Sequence, residues 1–373
     1  MPRLRPALLA FLITCATATA AAGQGAADRL AEIGWQAVER GDADRAASAF
    51  REALGMRPRD ASLIMGAGFA AHLQAREDDA TAFLQRALEV DPRLTPASTL
   101  LGEIAYRSGN LDLAISTYEA ALKHAPRDST LKSRLEAWKH EASAYRSFES
   151  VKDDRFSVMF EGPAEQKLAS RATAVLRNAF WQIGKVIGSY PSNSINVILY
   201  TERQFRDITG APEWAGGGFD GQIRMPVKGA LQNLGEFDRI LAHELTHAML
   251  RSVASRNLPA WLNEGLAMYF EGYDAAAVEK FLRGYRVFVP LAHLRNSFGQ
   301  LNERQATVAY AESFLATSVL MERVGSPGIG QLLQDLDGGQ PIDQAVERFG
   351  FTFADFESKL AERVGVRLVR QNP

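Results

Sequence analysis

The chain has 373 residues, enough for about two domains of roughly 150 residues each, and its 46% hydrophobic and 23% charged content is that of an ordinary soluble globular protein. Lys and Arg number 42 against 44 Asp and Glu, a formal net charge of -2, which argues against the basic surface of a nucleic-acid binder. A single Cys excludes an internal disulfide or a cysteine-rich metal cluster, so any metal must be held by carboxylates and by some of the six His.

At the N-terminus, Arg3 and Arg5 precede an apolar run at 7–14 and small residues at 16–22. That order is a secretory signal peptide over residues 1–22, which predicts an exported, periplasmic protein. Ala18-Thr19-Ala20 and Ala20-Ala21-Ala22 are both acceptable cleavage sites. A competing reading takes Leu12-Ile13-Thr14-Cys15 as a lipobox and anchors the protein through Cys15, although Thr14 is a poor residue before such a cysteine. No later stretch approaches about 20 uninterrupted apolar residues, so no transmembrane span is expected.

One period runs through residues 27–128. Pro58, Pro92 and Pro126 are spaced by 34, and the same shift relates Ala46 to Ala80 to Ala114 and Ala53 to Ala87 to Ala121. It also relates Phe50 to Leu84 to Tyr118 and Gly34 to Gly68 to Gly102. Small Ala and Gly positions let two antiparallel helices approach, the Phe/Leu/Tyr position fills the gap, and Pro ends the second helix. The pattern resembles the tetratricopeptide repeat, although the family's leading aromatic is replaced by Leu30, Ile64 and Ser98. Residues 128–146, with Leu131, Leu135 and Trp138 at helical spacing, read as a capping helix. The resulting all-α solenoid, residues 23–147, implies either a groove for a protein partner or a support that packs on the second domain.

From residue 155 the pattern changes. Short β-rich runs at 155–160 and 195–200 flank a helix at 163–188, and a glycine-rich turn at 216–221 introduces an alternating strand at 222–225. The rest reads as helical, giving an α+β outline for residues 148–373.

The segment His243-Glu244-Leu245-Thr246-His247 lies in a helix predicted over 236–253. Positions four apart share one helix face about 6 Å apart along the axis, so both imidazoles can reach one zinc ion. Glu244 is rotated by roughly 100° from His243, beside the metal rather than on it, where a base can take a proton from water. Ile240, Leu241, Ala248, Met249 and Leu250 make this helix apolar, and buried His and Glu need such a partner. In the next helix, residues 260–270, Trp261, Leu262, Ala267 and Phe270 form a core side while Glu264 is free to turn toward the two His. Two His and one Glu leave the fourth position of a tetrahedral zinc open, which is the catalytic arrangement.

His-Glu-x-x-His followed by Asn263-Glu264-Gly265-Leu266-Ala267 resembles the gluzincin metallopeptidases, and residues 155–373 resemble the bacterial peptidase MA-like domains. The resemblance implies a zincin-type fold, one zinc per chain on His243, His247 and Glu264, and Glu244 as general base. Sixteen residues separate His247 from Glu264, slightly fewer than in the best known gluzincins. Family members often carry an acidic residue four positions after the ligand Glu to orient a histidine; Met268 stands there, which leaves Glu271 and Asp238 as candidates. The Gly-Ala-Met-Glu-Asn motif of the aminopeptidase relatives is absent. Tyr310 is the candidate oxyanion stabiliser by the same resemblance, or else a core tyrosine. The strand at 219–225 is either a substrate ledge, through an exposed edge that pairs with an extended peptide, or a tight turn beside the core. His293 reads as a packed loop residue, and His72, His124 and His140 likewise carry no ligand role.

The sequence therefore predicts an exported zinc metallopeptidase, more suited to internal than terminal cleavage of a polypeptide substrate. The alternatives are an envelope scaffold whose metallopeptidase-like domain has little activity, and a zinc enzyme acting on another amide such as one in the cell wall.

Overall fold

Pro58, Pro92 and Pro126, spaced by 34, punctuate a run of seven helices in the first part of the computed structural model: α1 (Ala26–Arg40), α2 (Ala43–Met56), α3 (Ala61–Leu73), α4 (Glu77–Val90), α5 (Thr95–Arg107), α6 (Leu111–His124) and α7 (Ser129–Ala144). The structure describes residues 25–365 and 367–368, apart from 163–164, 211–215, 228–229, 231–232, 255 and 286. The segment predicted as a signal peptide and Cys15 lie outside the described residues. None of the described helices is long and apolar enough to cross a membrane.

The columns of the repeat are its helix contacts. A Cβ on Gly34 would meet the Phe50 ring at 2.7 Å, one on Gly68 would meet Leu84 at 2.9 Å, and one on Gly102 would meet Tyr118 at 2.3 Å. Each glycine therefore lets the large residue of its own pair lie flat against backbone, and Ala46, Ala53, Ala80, Ala87 and Ala114 are fully buried beside it. Trp138 of α7 closes the last pair, tilted on Tyr118 at 4.4 Å and stacked on Tyr106 at 5.1 Å. Below it, Arg134 donates two hydrogen bonds to Glu103, which keeps that buried carboxylate paired.

Residues 147–373 form the second compact unit. It opens with a strand that the sequence did not reveal, β1 (Phe148–Lys152), antiparallel to β2 (Phe156–Glu161). Then follow α8 (Gln166–Ile187), β3 (Ile195–Tyr200), α9 (Glu202–Thr209), β4 (Gly218–Phe219) and β5 (Ile223–Pro226). The sheet order is β1-β2-β3-β5-β4, with β2, β3 and β5 parallel and the outer strands antiparallel. Phe156, Val158, Phe160, Val197, Leu199, Ile223 and Met225 point to one core. α8 and α10 (Leu234–Val253) contribute Leu176, Phe180, Leu241, Leu245 and Met249 to it.

The segment 222–225 is thus not an exposed edge. β5 pairs on both sides, and its outward residue Arg224 is 2% exposed, because its guanidinium donates to the Tyr200 hydroxyl at 2.5 Å and to Asp220 at 3.0 Å. The sheet edge on this side is β4, only two residues long, next to α10; the other edge is β1.

Among the remaining elements are α11 (Ala260–Glu271), α12 (Ala275–Arg283), β6 (Val287–Phe288), α13 (Glu303–Asp337), α14 (Phe353–Val364) and β7 (Arg367–Leu368), which pairs with β6 in a small parallel ladder absent from the helical reading. α13 breaks at Gly325 (φ 66°), and Pro327 follows in the next turn. At Gly265, α11 meets α13 backbone to backbone: a Cβ there would lie 2.3 Å from the Ser313 carbonyl oxygen and 2.1 Å from the Thr317 hydroxyl. That contact fixes where Glu264, the preceding residue, stands.

Candidate metal centre

α10 is a twenty-residue helix whose start is capped by the Asn233 side chain, which accepts from the Glu236 amide. Phe237, Leu241, Leu245 and Met249 bury one stripe, so His243 and His247 emerge on the adjoining face, ring centroids 4.8 Å apart. α11 brings Glu264 to them. One of its oxygens, Oε2, lies 3.7 Å from His243 Nε2 and 3.4 Å from His247 Nε2, and ligand atoms of all three residues fall within 4.8 Å of one another. Among the described residues this is the one such group of three or more His, Asp or Glu.

The donors suit zinc. Bonds of about 2.0–2.1 Å in a tetrahedron set donor atoms about 3.3–3.5 Å apart, close to the two measured separations. His243 Nδ1 donates to Glu271 Oε2 at 2.9 Å, which leaves Nε2 turned to Glu264. Glu271 is therefore the carboxylate that orients this histidine, two turns beyond Glu264 on the same helix face. Asp238 is taken instead by Arg171, through hydrogen bonds of 2.8 and 2.5 Å. His247 Nδ1 is buried without a hydrogen-bond partner among the described residues.

Electrostatics point the same way. Burial works against a charged His243, yet the neighbouring Glu264 carboxylate, the hydrogen bond to Glu271 and the field of Glu244 raise its pKa to about 10. Burial works against ionised Glu264 as well, and the two histidines nevertheless hold it far below the usual carboxylate range. The pocket thus stabilises positive charge among its carboxylates, which is what a divalent cation supplies. The three side chains keep 14–19% exposure, so solvent or substrate can reach the cluster.

Glu244, 7% exposed, stands beside this group and not in it. Burial pushes its carboxyl upward and the neighbouring His243 and His247 oppose the shift. Gly217, just ahead of the edge strand, packs directly on it: a Cβ there would stand 3.2 Å from Glu244 Cγ. Tyr310 lies in the third turn of α13 and lines the same cavity as His243 and Glu244, its ring edge-on to Phe298 at 5.3 Å. Burial, then the charges of Glu264 and Glu244, raise its pKa, so the phenol remains a hydrogen-bond donor. The sequence reading began a helix near Tyr310; the helix starts two turns earlier, at Glu303.

The other histidines stay apart. His72 pairs with Glu77 at 2.8 Å. His124 and His140 are exposed, and His293 sits exposed in a 3-10 turn rather than packed in a loop. The residues that sequence reasoning did not reach are those after α11: Tyr273, Asp274, Ala277 and Phe281 complete the cavity wall, and nothing in their spacing marks them as facing the histidines.

Comparison with protein families matches residues 175–364 to the Peptidase MA superfamily and residues 37–104, 80–129 and 99–147 to tetratricopeptide repeats. No curated protein matches the chain. The peptidase match takes in β3, β4 and β5 and both helices that carry His243, Glu244, His247 and Glu264. The chain belongs to the Peptidase MA superfamily, with tetratricopeptide repeats ahead of its peptidase domain.

Proposed function

We propose that the protein is an exported, zinc-dependent metallopeptidase that cleaves polypeptide chains internally, with its repeats serving to dock the substrate or a protein partner. The reading is carried by one observation: two imidazoles and one carboxylate converge within 4.8 Å, and one of them, His243, lines a cavity together with a second carboxylate, Glu244. His243, His247 and Glu264 would hold one zinc per chain. When bound, zinc supplies Lewis-acid polarisation of a carbonyl and acidification of water.

The chain's own residues do the rest. Glu244 takes a proton from the attacking water as the water oxygen bonds to the scissile carbonyl carbon, and it returns that proton to the amine nitrogen as the C–N bond breaks. Its upward-shifted carboxyl suits both transfers. Tyr310 donates a hydrogen bond to the oxygen that gains charge in the tetrahedral state. Glu271 holds the Nδ1 proton of His243 and so fixes its tautomer. β4 is an outer strand of the sheet, and Gly217 just before it packs on Glu244, so an extended substrate main chain that pairs with this edge would run next to the base. The absence of the aminopeptidase motif supports internal cleavage, and the segment 1–22 supports export.

The test is metal analysis of the purified full chain alongside His247→Ala. About one zinc per wild-type chain, lost with the imidazole together with hydrolysis of a denatured-protein substrate, is the expected result. No zinc in either protein would sink the metalloenzyme reading in favour of a scaffold.

A further inference from the structure

α8 buries Leu176, Ile183 and Ile187 on its inner side and leaves its outer side to solvent. Its 22 residues include Lys167, Arg171, Arg177 and Lys185 and no Asp or Glu, in a chain whose net charge is -2. Steps of three and four residues set these four cations, with Ala174 and Trp181, along that one outer side. Asp238 and Asp153 neutralise Arg171 and Arg177. Lys167, Lys185 and Arg155, the last from the turn between β1 and β2, have no ion pair among the described residues, and the exposed Asp154 beside Arg155 offsets only one of the three charges.

At the C-terminal end of this side, Trp181 is 50% exposed and Tyr190 43%, with ring centroids 5.1 Å apart. The pair is fixed in place. A Cβ on Gly184 would stand 2.1 Å from the Tyr190 ring, so that ring lies flat on the backbone of α8. The Arg155 guanidinium is 4.7 Å from the Phe180 ring and 5.1 Å from the Trp181 ring, which holds a cation at the rim of the pair. Phe180, 1% exposed, already closes the core beneath, so the two outer rings are left for a partner.

Indole and phenol rings have an apolar body and a polar tip, and with cations around them they match the boundary between phosphate headgroups and acyl chains. From Lys167 to Lys185 the cations extend over about 27 Å of one helix side, which suits a plane of negative charge better than a single bound strand. We propose that the outer side of α8, with Trp181, Tyr190, Arg155 and Lys185 at its centre, is a peripheral docking surface for an anionic phospholipid bilayer. Such a surface requires no spanning helix, and it stands independently of the peptidase reading.

The test is sedimentation of the full chain with vesicles of phosphatidylcholine alone and of phosphatidylcholine with about one-third phosphatidylglycerol. Binding is expected with the mixed vesicles only, and it should weaken steeply by about 0.5 M salt as the charges are screened. Lys167→Gln and Lys185→Gln, both at exposed positions, should each lower the partition coefficient about fivefold, while Lys132→Gln on α7 should leave it unchanged. Tryptophan emission should shift to the blue on mixed vesicles in the wild type and not in Trp181→Gln, and the lysine variants carry the test if that variant does not fold. No sedimentation with mixed vesicles, equal sedimentation with both kinds, or a loss in Lys132→Gln as large as in Lys185→Gln would overturn the proposal. So would soluble polyglutamate that binds as tightly as the vesicles with the same loss in the lysine variants, since the ligand would then be an acidic polypeptide.

Discussion

Gly265→Ala adds one methyl group at the crossing of α11 and α13, and two effects compete. In a helix interior Ala is better than Gly by about 1 kcal/mol, so propensity alone makes the variant more stable. The new Cβ would, however, sit 2.3 Å from the Ser313 carbonyl oxygen and 2.1 Å from the Thr317 hydroxyl. Ordinary contact lies near 3.4 Å, so the two helices must part by about 1 Å, and the carbonyl, being backbone inside α13, cannot swing away. Overpacking of this kind costs about 1–3 kcal/mol, and the upper end applies where backbone opposes the methyl. The net expectation is a loss of about 2 kcal/mol, a fall in Tm of about 4–8 °C for a unit of this size. Glu264 moves with α11, so zinc affinity measured by chelator competition should drop as well. Calorimetry and that competition decide together. An unchanged or raised Tm with wild-type affinity would refute both the close helix crossing and its role in holding Glu264.

Glu271→Ala should weaken zinc binding by about 10- to 100-fold in the same competition, because His243 loses the acceptor that orients it; an unchanged affinity would remove Glu271 from the account. Tyr310→Phe should lower kcat by about 100-fold with little effect on KM, the pattern of a lost oxyanion donor. Glu312 on α13 is fully buried, the Val289 amide being its one hydrogen-bond partner among the described residues, and burial raises its pKa to about 8 from an ordinary 4.5. The folded state then holds a proton that the unfolded chain releases, so stability is full below about pH 4.5 and is lost as pH rises toward 8. Glu312→Gln cannot ionise and keeps an acceptor for Val289, so its Tm relative to wild type should rise across that window; a pH-independent difference would contradict the burial argument.

How much of this was legible follows from the range of each contact. The repeat could be read because Gly34 meets Phe50, and Gly68 meets Leu84, at a fixed short spacing within each helix pair. His243 and His247 could be read because four residues is one helical turn. Glu271 was within reach by the same periodicity, seven residues and two turns past Glu264, and its rival Asp238 was excluded only by the long-range partner Arg171. The edge was read too long: Phe219 lies in the outer strand β4, whereas Gln222 to Met225 alternates like a half-exposed strand, yet Arg224 is buried by partners that its polarity alone does not announce. β4 is too short for its pattern to stand out, and β1 buries none of its five residues fully, so it carries no clear apolar alternation. The cavity wall on α12 depends on how that helix packs against α13, a tertiary fact with no local signature.

The central claim is that Glu244 acts as the base beside a zinc held by His243, His247 and Glu264. Purified wild type and Glu244→Gln should be compared for zinc content and for hydrolysis of the same peptide. The account predicts about one zinc per chain in both proteins and hydrolysis in the wild type alone. Hydrolysis that persists in the zinc-loaded variant would contradict it.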